Sequence, residues 1–193
     1  MQKNKVVIVG KGGIGTYLSG YLTGKGFETA FFHVKTLSAC LFPDFLQAQR
    51  PEAVFITIST RDKGEAARDY ILACAEANIP VITCEKGAFA YHAQLLLPYR
   101  KQIGFSASAG GGTRMLPYIK SRHIGDKPVR ISAVLNGTLN FIFDQIRSGS
   151  TFGGACKEAI RLGFAEPGAV GLLSLINGEL KDVVMKICVM FNT

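Results

Sequence analysis

The decapeptide VVIVGKGGIG, residues 6–15, limits this chain more than any other stretch. Residues 5–9 form a β-branched run too short for a helix, and it ends on a cluster of glycines. Gly10, Gly12 and Gly15 stand in G-x-G-x-x-G spacing, between a strand and the apolar residues that continue as a helix from about Gly13 to Thr23. Each glycine has a mechanical reason: Gly10 for a tight turn, Gly12 for close approach of the backbone to a pyrophosphate, Gly15 for close packing of helix on strand. The helix start adds unpaired N–H groups and positive potential. The motif predicts a dinucleotide site on Gly10, Gly12, Gly13, Ile14 and Gly15; the alternative is a purely structural turn.

The next segments repeat the alternation of strand and helix. Strands are predicted at 28–34, 52–60, 80–84 and 103–109, and a helix at 63–78 with Ala67, Ile71 and Ala75 on one face. That order predicts a Rossmann-type α/β domain, a parallel sheet covered on both faces, over residues 1–110. The end of the second strand carries His33 and Lys35 in place of the carboxylate that holds the ribose hydroxyls of NAD. Two readings stand: accommodation of the 2′-phosphate of NADP, or a basic strand end that is merely solvated.

Past three consecutive glycines at 110–112 the pattern changes. A strand is predicted at 129–135, then a break at Asn136–Gly137–Thr138, with Thr138 as N-cap of a helix whose apolar residues are Leu139, Ile142, Phe143 and Ile146. A second helix is expected from Phe152 to Leu162, stopped by Gly163, and a last one over 179–191. Residues 111–193 are thus expected to form a smaller, incomplete α+β domain.

The charge of +8 favours anionic partners. Because the basic residues are scattered, a phosphorylated small molecule is expected and nucleic acid is not. The five cysteines show no C-x-x-C spacing and read as reduced thiols, most of them buried, in a cytoplasmic protein. No metal ligand set is expected. No stretch reads as a signal peptide or a membrane span. The three histidines, His33, His92 and His123, read as surface or helix-end residues, which disfavours a histidine acid–base. Lysine can take that role when burial or a second cation lowers its pKa. Lys86 follows a strand's carboxyl end, where open α/β sheets bind ligands. Asp182 and Lys186 share a helix face at i, i+4. Lys186 reads either as a snorkelling surface residue or as an active-site residue.

Six segments, in order, resemble homoserine dehydrogenases: GKGGIG, CEKGAFA, SASAGGGT, VLNGTLNFIF, EAIRLGFAEP and DVVMK. The resemblance implies NAD(P)-dependent interconversion of L-homoserine and L-aspartate 4-semialdehyde, with NADP or NAD as cofactor and an amino-acid alcohol or aldehyde as substrate. It implies Lys86 and Lys186 as the catalytic pair and Asp182 as their orienting carboxylate. Glu166 would hold the substrate ammonium, and Gly137 and Thr138 would line the pocket. Lys35, Thr60 and Lys86 join the glycine loop as cofactor contacts, and a homo-oligomer is implied. The chain departs from the family's pattern at GAVGLLSLI (168–176), apolar where the family has acidic residues. It also departs at Ser106, which counts against a bound monovalent cation, and it ends soon after the lysine helix. A short member of the family is therefore expected; the alternative is an inactive or split-enzyme NAD(P)-binding paralogue.

Overall fold

A computed structural model describes residues 4–34, 41–122, 132–165 and 171–192. The chain divides into two compact units, residues 1–121 with 188–193, and residues 122–187.

In the first unit the apolar runs become β1 (Lys5–Val9), β2 (Glu28–Phe32), β3 (Ala53–Ile56), β4 (Val81–Thr83) and β5 (Ile103–Gly104). They form one parallel sheet in the order β2-β1-β3-β4-β5. Its register places Val7 beside Ala30 and Val54, and Val54 beside Val81. Val7, Ile8 and Val9 are wholly buried, as expected for a strand with both faces covered. All five carboxyl ends lie on one edge, and the strand order reverses beside β1, where open α/β sheets form their ligand crevice.

Helices α1 (Gly13–Gly24), α2 (Phe42–Gln49), α3 (Glu65–Glu76), α4 (Gly87–Leu96) and α5 (Met115–Arg122) complete this unit. Phe32 carries much of its packing: its ring meets Phe42, Phe45 and Tyr70 edge-on at 4.9, 5.2 and 5.7 Å. Burying each such ring contributes about 1.5–3 kcal/mol. The turns after α1 and α3 end the helices in one way. Gly26 N–H bonds the Thr23 carbonyl and Phe27 N–H the Leu22 carbonyl; Asn78 and Ile79 repeat this on Ala75 and Cys74. This Schellman geometry needs a left-handed residue, supplied by Gly26 (φ 92°) and Asn78 (φ 56°).

Two predicted strands are shorter in the structure. The third ends at Ile56 because the chain then bends to form the crevice; Thr57 turns its hydroxyl onto the carbonyls of Val9 and Gly10 at 3.2 and 3.1 Å. The fifth ends at Gly104 and passes into a 3-10 turn at Ser106–Ser108, where the Ser108 hydroxyl bonds the Phe105 carbonyl at 2.6 Å.

The second unit contains α6 (Gly137–Arg147), α7 (Phe152–Arg161) and most of α8 (Leu172–Phe191). Ile142, Ala155, Cys156, Ala159 and Leu175 make its core, bordered by Phe141, Ile146, Leu172 and Ile176. Gly149 and Gly163, both at positive φ, close α6 and α7 with the same Schellman bonds. Gly163 stands one residue past the C-cap Leu162, where the sequence puts it. The strand expected at 129–135 is not formed over 132–135, which carry no regular structure; residues 123–131 lie outside the described residues. Alternating apolar residues suit a strand only where another strand pairs with them, and none does here among the described residues. Helix α8 begins seven residues earlier than expected. Gly178 has poor helix propensity, but Leu172, Leu175 and Ile176 keep helical spacing, and their burial against α6 and α7 prevails.

Candidate active site

The glycine loop in the first unit is built by backbone contacts. Gly10 adopts φ 99° and its N–H bonds the Phe32 carbonyl at 3.2 Å, while Thr57 N–H bonds the Val9 carbonyl at 2.9 Å. A Cβ at Gly15 would stand 2.2 Å from the Gly10 carbonyl oxygen and 2.8 Å from Thr57 Oγ1, so α1 packs on the strand ends only with glycine there. A Cβ at Gly12 or Gly13 would meet nothing within 4 Å; both residues border open space. Gly12 caps α1 without any side chain, and no acidic residue stands in the first turn. The first-turn N–H groups, those of Gly13, Ile14 and Gly15, therefore carry the helix's positive end outward. Ile14 is exposed at the same rim. These features fit the phosphates of a dinucleotide. Beside them, Lys11 Nζ lies 5.4 Å from the centre of the Phe31 ring, and exposed His33 stands with its ring centroid 6.1 Å from that of Phe31. Lys35 lies outside the described residues.

At the carboxyl end of β4 the important side chain is one the sequence did not single out. Glu85 is almost fully buried. Its Oε1 accepts from Gly87 N–H at 2.7 Å and from the Thr60 hydroxyl; its Oε2 accepts from Ala88 N–H at 2.8 Å. The carboxylate thus takes two N–H groups of the first turn of α4, where negative charge is favoured. Lys86, half-buried, is the N-cap residue of α4. Gly64, at φ 79°, presses on the same turn: a Cβ there would lie 2.3 Å from Ala88 N, and one on Gly87 would lie 2.9 Å from Gly64 Cα. Thr60 is committed to Glu85, so as a cofactor contact it retains its backbone and methyl group.

In the second unit the break at 136–138 meets α8. Asn136, not Thr138, is the N-cap of α6: its Oδ1 accepts from Leu139 N–H at 2.8 Å. The correction has a simple geometric cause. Asn136 is the last extended residue (φ −142°, ψ 121°), and Gly137 already turns with the helix. Thr138, one residue further in, donates its hydroxyl to the Phe164 carbonyl at 2.7 Å and ties α6 to the segment after α7. Asn136 Nδ2 donates to Glu179 at 2.6 Å and to Asp182 at 3.1 Å. Lys186 Nζ lies 2.6 Å from the same Asp182 oxygen and donates to the Leu135 carbonyl at 2.6 Å. Asn136, Thr138, Glu179 and Asp182 are all less than a tenth exposed, and the Lys186 side chain is 18% exposed.

The structure thus assembles Asn136, Gly137, Thr138, Asp182 and Lys186 in one unit, and the glycine loop, Thr60 and Lys86 at one sheet edge in the other. Lys186 is an ion-paired, largely buried lysine. Glu166 lies outside the described residues. Sequence reasoning missed Glu85 and Glu179. Glu179 lies one turn before Asp182 on the buried face of α8, and the i, i+3 spacing of two carboxylates was a usable signal.

Histidine 92 is not a surface residue: it is half-buried at a kink in α4, its Nε2 without a hydrogen-bond partner among the described residues. The described cysteines are free. Cys74 and Cys156 are buried, Cys84 and Cys188 partly so. Burial pushes the Cys74 thiol up to about 12 and raises those of Cys84 and Cys156, so none of these three is poised as a nucleophile. Among the described residues no group of three or more His, Cys, Asp or Glu could hold a metal, and no helix is long and apolar enough to cross a membrane.

A family model described as homoserine dehydrogenase matches residues 115–190. A homoserine dehydrogenase of Methanocaldococcus jannaschii is 32% identical over 118 residues, covering 58% of this chain and 35% of that protein. One of Corynebacterium glutamicum is 29% identical over 120 residues, covering 60% and 27%. The chain thus spans about a third of the length of the curated relatives it matches. A solved hyperthermophilic archaeal homoserine dehydrogenase mutant in complex with NADPH superimposes with a TM-score of 0.73 at 19% identity, covering 98% of this chain and 69% of that one.

Proposed function

From its likeness to homoserine dehydrogenases, we propose that this chain is an oxidoreductase of that family. The reaction is the interconversion of L-homoserine and L-aspartate 4-semialdehyde with NADP or NAD. The observation that carries this reading is Lys186, held largely buried between a carboxylate and a backbone carbonyl, each at 2.6 Å. A lysine amine fixed in that way is placed for proton transfer to or from a substrate oxygen, a role lysine performs well.

A bound nicotinamide nucleotide supplies the hydride or takes it up. The chain's own residues do the rest. The outward N–H groups of Gly13, Ile14 and Gly15 bind the pyrophosphate. Lys186 Nζ gives a proton to the aldehyde oxygen in the reducing direction and takes one from the hydroxyl in the oxidising direction. Asp182 keeps that amine in place. Lys86, set by the capped start of α4, serves as the second catalytic lysine and as a cofactor contact, and Glu166 holds the substrate ammonium. Residues 1–110 act as the nucleotide domain and 111–193 as the substrate domain. Lys11 and His33 beside Phe31, with no acidic residue between Glu28 and Asp44, favour the extra phosphate of NADP. A cytoplasmic homo-oligomer is the form in which we expect it to work.

The test is homoserine-dependent reduction of NADP followed at the nicotinamide absorbance, with Lys186→Ala as control. Removing a general acid–base typically costs 10²–10⁴-fold in rate. Equal, negligible turnover in wild type and variant, with NADPH still bound, would reject the enzymatic reading.

A further inference from the structure

We propose that Asn136 is the positioning residue of the Lys186 site. The proposal rests on the role given to Lys186 above and adds how that amine is held. The Asn136 side chain has one acceptor and one NH₂ group. Its Oδ1 faces the Leu139 N–H, which can only donate. Its Nδ2 must therefore face Glu179 and Asp182, which accept. The orientation of the amide is thus dictated from both sides and has no equivalent flipped form.

That orientation couples three things. It starts α6, it fixes the Asp182 oxygen that pairs with Lys186, and it sets the position of residue 135, whose carbonyl takes a second Lys186 N–H. It also places an amide donor between two buried carboxylates on neighbouring turns of α8, which would otherwise face each other with one ammonium beside them. Capping alone does not require asparagine, since serine and aspartate cap as well. The two donated bonds do require it: serine has one hydrogen and a shorter reach, and aspartate has none to give.

The experiment is competitive acylation of the full-length protein, with the Lys186 peptide quantified by mass spectrometry against the exposed Lys157 as internal reference. In Asn136→Ser, which retains the cap, Lys186 labelling should rise roughly threefold to tenfold relative to Lys157, the size expected when contacting side chains are uncoupled. The melting temperature should fall, because two hydrogen bonds to charged acceptors are lost, and labelling is therefore read well below the unfolding transition. Asp182→Asn should raise labelling similarly, and the double variant should exceed neither single variant, because both act on one link. Where turnover is measurable, Asn136→Ser should lower kcat more than it raises KM and should move the pH profile. Unchanged Lys186 labelling in folded Asn136→Ser, or effects of the two substitutions that simply multiply, would overturn the proposal. Absence of homoserine turnover would sink the functional reading and leave the labelling result to judge Asn136 by itself.

Discussion

Gly15 lies so close to Gly10 that the methyl carbon of an alanine at 15 would stand 2.2 Å from the Gly10 carbonyl oxygen. Gly12, three residues away in the same motif, borders open space. Gly15→Ala should therefore destabilise the fold, by about 1–3 kcal/mol or more as overpacking does. Gly12→Ala should leave the melting temperature within about 0.5 kcal/mol-equivalent of the parent and weaken NADPH binding, because its new methyl occupies the ligand's side of the loop. Thermal denaturation with NADPH fluorescence titration checks both; a Gly12→Ala variant that binds normally would count against the loop as a phosphate cradle.

Glu85 should behave as a structural anchor. Glu85→Ala leaves Gly87 N–H and Ala88 N–H without their acceptor. Hydrogen bonds to a charged group contribute about 1.5–3 kcal/mol each, so a loss of about 3 kcal/mol is expected. At this chain length each kcal/mol corresponds to a fall of about 2–4 °C in melting temperature. Glu85→Gln keeps one acceptor oxygen and should lose less. Calorimetry of the two variants gives the ranking, and equal stability would show that water caps α4 as well.

The end of β2 should discriminate between cofactors. Lys11→Ala and His33→Ala are expected to weaken NADPH binding more than NADH binding, each by a fewfold, because the group they face is the extra phosphate. Fluorescence titration at two salt concentrations tests this, since an exposed charge contact is weakened by salt. Equal losses for the two cofactors would leave β2's end as an ordinary solvated terminus.

Cys74 gives an alkaline prediction. Its ordinary thiol pKa of 9.0 is pushed up to about 12 by burial, so the folded state holds the proton more tightly than the unfolded one. The stability linked to this proton is complete below pH 9.0 and is lost as pH rises toward 12. Urea midpoints should fall across that window, and less steeply in Cys74→Ala. At pH 8 a thiol reagent should reach Cys74 only when the protein is unfolded.

The first unit was legible because β1, β3 and β4 are short runs rich in β-branched residues and bounded by turn residues, and their place inside the sheet makes such runs nearly unambiguous. The glycine motif then set the crevice. What could not be read was anything decided by partners distant in sequence. The stretch at 132–135 has strand character, but no strand lies beside it among the described residues. The start of α8 looks like a loop because Gly171, Asn177 and Gly178 interrupt it, yet Leu172, Leu175 and Ile176 are held by α6 and α7. Lys186, Asp182 and Thr138 were visible as types and spacings. Glu179 was legible only as a carboxylate three residues before Asp182; the bridging part played by Asn136 was not, since a contact across 43 residues leaves no local trace.

The mutual approach of Gly64 and Gly87 has an evolutionary consequence. In the triplet Glu85–Lys86–Gly87, the outer two residues answer to shape: one holds a helix start with its carboxylate, the other lies against a neighbouring glycine with no room for a side chain. The lysine between them is the one given a chemical role in the proposed function. A library of substitutions sorted for abundance in cells would tolerate change at 86 and reject it at 85 and 87, whereas one sorted for the proposed activity, by growth without the reaction's product, would reject all three. Drift in this segment is confined to a corridor one residue wide, and a lineage that abandons the reaction should show it first at position 86.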